Sequence, residues 1–303
     1  MRAVVDIGSN SIKYLLAQSE RGALVAIESG SWVTRLGKNL ETNGGFLEED
    51  SLNATEKALI EIAAKIKVSR KLEKLRVVAT AAARNAKNQD ALASRVRKHL
   101  GVDLEILSGQ DEALWSMRGA SQAALQHFPN ERFVFLDIGG ASTEVGFLRP
   151  SFLAHSFDGG ALRCHQGLGL DKIPVSDATW SESHIDIQKY FPEASYKKLL
   201  SEYQPKTYRA VAVGGTLLLA TSYCSPVITS PAGSLVTKTE LEELANRVRR
   251  KSMKDRLAMT GMDTDRADIL PAGVLILTTC LKRLGQDEVF VTSWGLRHGL
   301  LSA

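Results

Sequence analysis

The chain has 303 residues, of which 44% are hydrophobic and 24% are charged, a composition typical of globular proteins. At roughly 150 residues per domain, this length predicts two domains, each with its own core. The net charge of +4 is only mildly basic and fits ordinary surface balance, so it does not predict a nucleic-acid partner.

The cysteines and the apolar runs restrict the compartment. Cys164, Cys224 and Cys280 are far apart and show no paired spacing, which argues against a disulfide framework or a zinc site. The amino terminus begins with a strand-like run and lacks the pattern of a secretory signal. No apolar run reaches the roughly 18 residues of a membrane span. These features predict a cytoplasmic protein with no membrane partner.

The first part of the chain alternates strands and helices. Residues 1–36 predict a meander of three strands, because β-favouring runs such as "SIKYLLAQ" are separated by glycines. Helical and short apolar patterns then alternate: a helix over 47–72, a strand over 75–80, a helix over 88–100, a strand over 103–107 and a helix over 108–128. Such alternation predicts the α/β class, with a sheet covered by helices.

A break in the helical pattern predicts the domain boundary. Pro129 and Asn130 interrupt the pattern just before a second strongly apolar strand. We therefore expect one domain over residues 1–126 and a second over 127–303. We also expect the terminal segment 295–303 to pack back on the first domain.

The second half repeats the alternation. Strands extend to about residue 157, helices to about residue 204, and "RAVAVGG" is again strand-like. A further helix is predicted to start near Thr239, because Glu242 follows three residues later, as in a capping box.

Two loops repeat one arrangement, in "AVVDIGSNS" from residue 3 and in "VFLDIGGAST" from residue 134. In each, an acid (Asp6 or Asp137) ends an apolar strand and is followed by glycines and hydroxyl side chains. Glycines allow positive φ and close approach of the backbone to a ligand, and backbone N–H and hydroxyl donors suit phosphate oxygens. The repeat predicts two similar units whose loops face a cleft, a common place for ligand sites.

A third glycine-rich turn follows the strand in "AVAVGGT". Gly214, Gly215 and Thr216 are arranged as in a turn that cradles phosphate or a nucleotide. The same pattern is equally typical of an ordinary strand-to-helix connection.

The acids of the two repeated loops indicate a metal ion. Asp6 and Asp137 would repel phosphate by themselves, so their position predicts an intervening hard cation, most simply Mg²⁺. Phosphoryl transfer to water also needs a group that orients or deprotonates the water, often a carboxylate. Glu112 is the candidate for this base, with Asp111 and Glu144 as rivals.

Eight motifs in one order extend over nearly the whole chain: "DIGSNSIKYLL", "RLGKNL", "VVATAAARNA", "ILSGQDEA", "LDIGGASTEVGF", "GGALR", "RADILPAGVLIL" and "VTSWGLRHGLL". Together they resemble the exopolyphosphatase / guanosine pentaphosphate phosphohydrolase (Ppx/GppA) family, within the superfamily that includes actin and sugar kinases. The resemblance implies two actin-like (ribonuclease H-like) α/β domains with the active site in the cleft between them.

The resemblance also implies roles for residues. It implies Glu112 as the general base and Asp137 and Glu144 as ligands of Mg²⁺ or Mn²⁺. The resemblance places Asp6 along the phosphate channel, and its position in the repeated loop makes it a further expected metal ligand. The residues expected to bind substrate phosphates are Ser9, Asn10, Ser11, Lys13, Arg84, Gly139, Gly140, Ala141, Ser142, Gly214, Gly215 and Thr216. The expected substrate is inorganic polyphosphate or guanosine pentaphosphate or tetraphosphate, and the expected assembly is a homodimer.

Some positions depart from the family pattern. Ala141 replaces a third glycine, Lys13 replaces a common arginine, and the alanines 81–83 replace a run with hydroxyl side chains. The chain also resembles the short form, which lacks an additional carboxyl-terminal helical domain. Two alternatives therefore stay open: a catalytically weak or silent sensor that binds polyphosphate or guanosine tetraphosphate, and a nucleotide-dependent kinase or ATPase of the same fold.

Overall fold

The computed structural model describes residues 1–20, 23–40, 42–68, 72–148, 152–203 and 208–302. The fold is mixed α/β with two sheets, as the sequence predicts. Contacts group Met1–Trp115 with Leu296–Ala303 as unit 1, and Ser116–Gly295 as unit 2. This division falls inside one helix. The domain limits at residues 126 and 127 stay a prediction.

Unit 1 contains a five-stranded sheet in the order β3-β2-β1-β4-β5. Its elements are β1 (Arg2–Ile7), β2 (Ser11–Glu20), β3 (Ala23–Val33), α1 (Glu49–Val68), β4 (Lys74–Ala79), α2 (Ala81–Arg84), α3 (Gln89–Leu100), β5 (Leu104–Ile106) and the first part of α4 (Gly109–Leu125). The predicted three-stranded meander and the helices that follow it are confirmed.

Apolar side chains cover both faces of the unit 1 sheet. On one face, Val5 and Ile7 pack with Leu59 and Ile62 of α1, whose spacing places them on one side of that helix. On the other face, Val4 joins a cluster that includes residues of the C-terminal helix. Burial on both faces explains the apolar runs at residues 3–5 of β1 and 77–79 of β4.

Unit 2 contains a seven-stranded sheet in the order β10-β11-β12-β9-β6-β7-β8. Its elements are β6 (Phe133–Ile138), β7 (Thr143–Phe147), β8 (Leu153–Phe157), α5 (Ala161–Gly167), α6 (Asp177–Asp186), α7 (Glu193–Tyr203), β9 (Arg209–Val213), α8 (Gly215–Thr221), β10 (Ile228–Ser230), β11 (Gly233–Thr237), α9 (Lys238–Arg249), α10 (Met253–Leu257), α11 (Leu270–Leu284) and β12 (Glu288–Thr292). The last helix, α12 (Leu296–Leu301), groups with unit 1. Over the described residues, no helix is both long and apolar enough to span a membrane.

The cap of α9 lies two residues before the predicted one, so the prediction of Thr239 was wrong. Thr237 accepts a hydrogen bond from the backbone N–H of Glu240, whose carboxylate accepts one from the backbone of Thr237. Two Thr-x-x-Glu patterns overlap in this sequence. The first one forms the cap because β11 ends at Thr237 in an extended conformation, the backbone that a capping residue adopts.

A buried arginine holds the segment before α11. Arg256 is fully buried, and its guanidinium donates hydrogen bonds to the carbonyl oxygens of Val248, Arg249, Ala267 and Asp268 at 3.0–3.3 Å. Burial lowers its pKa to about 10, with the charge of Asp268 opposing that shift. The side chain therefore joins the end of α9 to the chain that enters α11.

Replacing Arg256 with alanine should lower the free energy of unfolding by about 3 kcal/mol or more, because buried carbonyl groups lose their donors. Urea denaturation at pH 7 measures this change. The exposed Arg247→Ala on α9 is the control and should change stability by less than about 0.5 kcal/mol. Equal effects of the two substitutions would contradict a structural role for Arg256.

Candidate active site

The two repeated loops form the same turn in both units. The backbone N–H of Gly8 donates to Ser11 O, and that of Gly139 donates to Ser142 O, each at 3.0 Å. Of the two properties that glycine allows, positive φ is not used here, since none of Gly8, Gly139, Gly140 and Ala141 has a positive φ.

The glycines serve close approach instead. A Cβ at Gly8 would lie 3.1 Å from Ser11 O, and one at Gly139 would lie 3.3 Å from Ser142 O. Both distances are tighter than ordinary contact, so a side chain there would press on the turn. Ala141, by contrast, imposes no left-handed strain in place of the third family glycine.

Three neighbouring strands of unit 2 bring polar side chains into one row. Asp137 on β6 is paired with Glu144 on β7, and Glu144 is paired with Ser156 on β8. Side chains opposite each other on antiparallel strands have Cβ atoms roughly 4.5–5.5 Å apart. Ser156 Oγ donates to Glu144 Oε1 at 2.9 Å, and Ser116 Oγ donates to Asp137 Oδ2. Two carboxylates thus lie side by side, each oriented by a hydroxyl group.

Glu144 has an unusual affinity for protons. Burial, and after it the charge of Asp137, raise its pKa to about 7, although hydrogen bonds from Ser142 and Ser156 oppose the shift. Near neutral pH the pair therefore holds a proton part of the time. A cation between the two carboxylates would remove the repulsion that keeps that proton bound.

The β6–β7 turn is fixed by the start of α5. Backbone N–H groups of Ala161 and Leu162 donate to the carbonyls of Gly139 and Gly140, both at 2.9 Å. A Cβ on Gly160 would come within 2.4 Å of the Gly140 carbonyl carbon, so only glycine allows this packing. The turn is thereby held in a defined position next to Asp137.

The third glycine turn lies beside the same strand end. Gly214 has a φ of 145°, and its Cβ would be 2.7 Å from Ile138 O, so no other residue fits there. Thr216 is buried, and its Cγ2 would be 2.6 Å from a Cβ on Gly273 of α11. The structure thus joins Gly214 to the β6 end and places the methyl group of Thr216 against α11.

Arg266 is a site residue that the sequence reasoning missed. A Cβ on Gly215 would lie 2.8 Å from its Nε and 2.9 Å from its Nη2, so the guanidinium covers this glycine. It forms an ion pair with Asp263, and burial lowers its pKa. Arg266 is the arginine of the "RAD" motif, but nothing in the sequence distinguishes it from the many arginines expected at the surface.

In unit 1, the Ser9–Ser11 turn is supported by the chain after β3. The N–H groups of Thr34 and Arg35 donate to Asn10 O at 3.0 and 2.9 Å, and that of Gly37 donates to Ser9 O at 2.8 Å. Ser9 and Asn10 are exposed, whereas Ser11 is buried. Ser9 and Asn10 therefore form the exposed end of the turn, where a ligand can reach them.

Asp6 lies among cations. It is paired with Lys13 across β1 and β2, and Arg297 of α12 donates to the Tyr14 carbonyl at 2.9 Å. Burial raises the pKa of Asp6, and the charges of Lys13 and Arg297 oppose this shift. Its role as a metal ligand stays a prediction, because these cations already offset the charge of the carboxylate.

The structure distinguishes Glu112 from its neighbour Asp111. Arg84 Nη1 donates to Glu112 Oε2 at 3.1 Å and to Leu107 O at 2.7 Å, with both charged side chains about one-third exposed. Asp111 instead takes part in the cap of α4, in which Ser108 Oγ accepts a hydrogen bond from the Asp111 backbone N–H and donates one to the Asp111 carboxylate. Glu112 is thus the oriented, accessible acid, and Asp111 is engaged in helix capping.

The donors of unit 2 fit a hard divalent cation. Within the described residues, no three His, Cys, Asp or Glu side chains form a metal-binding group. Asp137 and Glu144 nevertheless supply two adjacent oxygen donors with surplus negative charge. Mg²⁺ is usually bound by one or two carboxylates, with water and substrate phosphates as the other ligands.

The sequence profile of the Ppx/GppA phosphatase family matches residues 15–303. The chain belongs to this family. Membership in this phosphatase family confirms the prediction of an enzyme of the hydrolase class. The fold expected for a Ppx/GppA protein is confirmed as well, since solved structures of the family share it along nearly the whole chain, as described next.

Several relatives show the extent of the similarity. Exopolyphosphatase 1 of Mycobacterium tuberculosis is 28% identical over 98% of this chain and 86% of the relative. The guanosine-5'-triphosphate,3'-diphosphate pyrophosphatase of Aeromonas hydrophila is 27% identical over 99% of this chain and 58% of the relative. Among solved structures, the Aquifex aeolicus Ppx/GppA family member has a TM-score of 0.79 at 24% identity, covering 99% of this chain and 96% of its own. An exopolyphosphatase from Cytophaga hutchinsonii has a TM-score of 0.83 at 21% identity, with the same coverage.

In this Ppx/GppA protein, Glu144→Gln should change how stability depends on pH. Below the ordinary pKa of 4.5, Glu144 is protonated in the folded and unfolded states alike. Between that value and about 7, the folded state binds more protons, so the wild type loses stability as the pH rises. The stability of the variant minus that of the wild type should therefore grow over this interval and level off above it.

Chemical denaturation in EDTA from pH 4 to 9 measures this difference. The exposed Glu243→Gln on α9 is the matched control for loss of a glutamate charge elsewhere in unit 2. A flat profile for Glu144→Gln would show that Glu144 titrates normally.

Proposed function

We propose that this protein releases the terminal phosphate of inorganic polyphosphate or of guanosine pentaphosphate by direct attack of water. The observation that carries the proposal is the Asp137 and Glu144 pair beside the glycine turn at residues 139–142. The named relatives include exopolyphosphatases and guanosine pentaphosphate hydrolases, which agrees with this reaction.

Glu112 is the proposed general base. Its carboxylate would accept a proton from the attacking water, a contribution typically worth roughly 10²–10⁴ in rate. The hydrogen bond from Arg84 orients the carboxylate, whose side chain is about one-third exposed to water. Once Glu112 is protonated, the positive charge of Arg84 is no longer balanced by it and can stabilise a phosphate group.

Asp137 and Glu144 are the proposed ligands of Mg²⁺ or Mn²⁺, with Asp6 as a further predicted ligand. A divalent cation, when bound, offsets the negative charge on the phosphate groups. Ser116 and Ser156 orient the two carboxylates before the cation arrives. Glu144 must give up its proton to bind a cation, so we expect metal affinity to rise with pH around neutrality.

Substrate phosphates are proposed to bind the turns and nearby cations. Ser9, Asn10 and Ser11 supply donors in unit 1, together with Lys13 and Arg84. Gly139, Gly140, Ala141 and Ser142 supply them in unit 2, followed by Gly214, Gly215 and Thr216. We add Arg266, because its guanidinium covers Gly215.

The silent-sensor alternative gains no support from the departures that suggested it. Ala141 has no left-handed backbone strain, and Ala82 and Ala83 are buried rather than exposed to a ligand. A homodimer and a cytoplasmic location stay predictions.

Glu112→Gln should lower kcat by at least about 10²-fold and change KM by less than about threefold, because the amide keeps the shape but cannot accept the proton. The measurement is phosphate release from polyphosphate and from guanosine pentaphosphate with Mg²⁺. Asp111→Asn is the matched control, since the Asp111 side chain contacts Ser108 at the start of α4 and is not the proposed base. Undiminished turnover in Glu112→Gln would refute the assignment of the base.

Gly215→Ala should displace the Arg266 guanidinium, because the new methyl group needs the same space. The displaced group is the end of a flexible side chain, so unfolding free energy should change by less than about 1 kcal/mol. KM should rise about tenfold in Gly215→Ala, equally in Arg266→Ala, and no further in the double variant, since both remove one contact. Additive effects in the double variant would contradict a shared role.

A further inference from the structure

Two exposed lysines of unit 1 lie on segments that pack side by side. Lys38 follows Gly37, whose Cβ position is 3.4 Å from Ala82 Cβ on α2. Lys87 follows α2, and its backbone N–H donates to Gly45 O at 2.8 Å. Leu47 N donates to the Asn88 side-chain oxygen at 2.8 Å and closes the contact between the two segments. We call Lys38, Lys87 and Arg84, the last residue of α2, the basic ridge.

The side chain of Lys87 is held in place. Its aliphatic carbons lie 3.4–3.6 Å from the Cβ position of Gly45, a glycine with a φ of 85°. Its ammonium group lies 5.6 Å from the centre of the Phe46 ring, within the range of a cation–π interaction. Any other residue at position 45 would be strained, so the lysine stem and the glycine fit each other.

Lys38 lies in a strained segment. Among the described residues, Arg35 (φ 49°) and Asn39 (φ 54°) are the only non-glycine residues with positive φ. Such conformations persist where the surrounding structure enforces them. Hydrogen bonds from the N–H groups of Thr34, Arg35 and Gly37 to Ser9 O and Asn10 O hold this segment, and the N–H of Lys38 donates to Arg35 O at 2.8 Å. The backbone of Lys38 is therefore fixed next to the residues that contact the turn proposed to bind phosphate.

The two lysines of the basic ridge are not paired with acids in the described part of the chain. Over the residues that the structure describes, no ion pair within 4.0 Å involves Lys38 or Lys87. Glu48, the acid bound to this segment, accepts a hydrogen bond from the Asn39 amide. Arg84, the third member of the ridge, is paired with Glu112, the proposed general base.

We propose that the basic ridge is a second binding subsite for long inorganic polyphosphate, which takes up phosphates next to the ones being cleaved. This inference rests on the proposed function and adds chain-length preference to it. A long polyphosphate continues as a line of negative charges beyond its terminal residues. In guanosine pentaphosphate the triphosphate arm ends at the ribose, so it offers the ridge no such continuation.

The test is the double variant Lys38→Ala/Lys87→Ala in the full chain. KM for polyphosphate of about 100 phosphates should rise about tenfold, because two partly screened contacts between lysine and phosphate are lost. KM for tripolyphosphate and for guanosine pentaphosphate should change less than about twofold, and kcat should stay the same. We also expect the long-chain KM of the wild type to depend more steeply on salt than that of the variant. The variant has two fewer lysine charges in contact with phosphate for salt to screen.

Two matched variants serve as controls. Lys57→Ala/Lys254→Ala removes the same charge from exposed helix positions of α1 and α10 and should leave every KM unchanged. Lys38→Arg/Lys87→Arg keeps the charge and should restore long-chain KM to within about threefold of the wild type. An equal loss in the Lys57/Lys254 variant would mean that only net charge matters, and it would overturn the subsite.

Direct binding separates this inference from the proposed function. Calorimetry at 4 °C in EDTA compares binding of the long chain and of tripolyphosphate by the wild type and the double variant. If the wild type hydrolyses nothing but binds the long chain about tenfold more tightly than the variant, the proposed function fails and the subsite stands. If wild type and variant bind the long chain equally, the subsite is refuted, whatever the enzyme hydrolyses.

Discussion

The repulsion between two carboxylates on neighbouring strands is the constraint on which the site of unit 2 depends. Asp137 and Glu144 are paired across β6 and β7, and their proximity together with burial raises the Glu144 pKa to about 7. Stability alone would not favour such a pair, because two buried like charges oppose each other. The arrangement is explained if the pair serves to bind a cation, and the orienting hydroxyls of Ser116 and Ser156 agree with that purpose.

The same local turn occurs in both units and is closed by the same backbone hydrogen bond. In both units the strand ends at an acid, and the N–H of the glycine two residues later bonds to the oxygen of the residue three positions beyond it. The remaining parts differ. In unit 2 the turn rests on α5, whereas in unit 1 it rests on residues 34–37, which also carry the strained Arg35 and Asn39. One turn thus sits by a pair of acids and the other by a group of cations.

This difference has a consequence for a polyanion. Asp137 and Glu144 need a cation before they can face phosphate, while Lys13, Arg84 and the lysines of the basic ridge attract phosphate directly. Glu112 is paired with Arg84, so its charge is balanced until it accepts a proton. In the proposed reaction, the acid pair holds the cation, the basic side chains bind phosphate and Glu112 accepts the proton from water.

The sequence predicted the parts of this structure that depend on local pattern. Alternating strands and helices and the two acidic turns followed from apolar periodicity and glycine placement, whereas the role of Glu112 as base stays a prediction. Contacts between distant segments were out of reach. Nothing near Gly215 in the sequence shows that Arg266, some fifty residues later, covers it, and nothing near Lys38 shows that α2 packs beside it. The cap of α9 was misplaced because two overlapping patterns competed, and only the end of β11 decides between them.

The reason for the glycines was also beyond the sequence. A glycine after a strand is compatible with positive φ or with close approach, and only coordinates separate the two. At Gly8 and Gly139 close approach is the reason, whereas Gly214 needs both. Ala141 was therefore less disruptive than the pattern indicated, because its position demands no left-handed backbone.

The most direct test of this account is to locate a bound divalent ion. Crystals grown with Mn²⁺ and no substrate, measured at the manganese absorption edge, would show the ion as an anomalous peak. We expect the peak within about 2.0–2.3 Å of oxygen atoms of both Asp137 and Glu144, as hard divalent ions bind carboxylates. A peak bound elsewhere, with the two carboxylates instead sharing a proton, would contradict the claim that this pair exists to hold a cation.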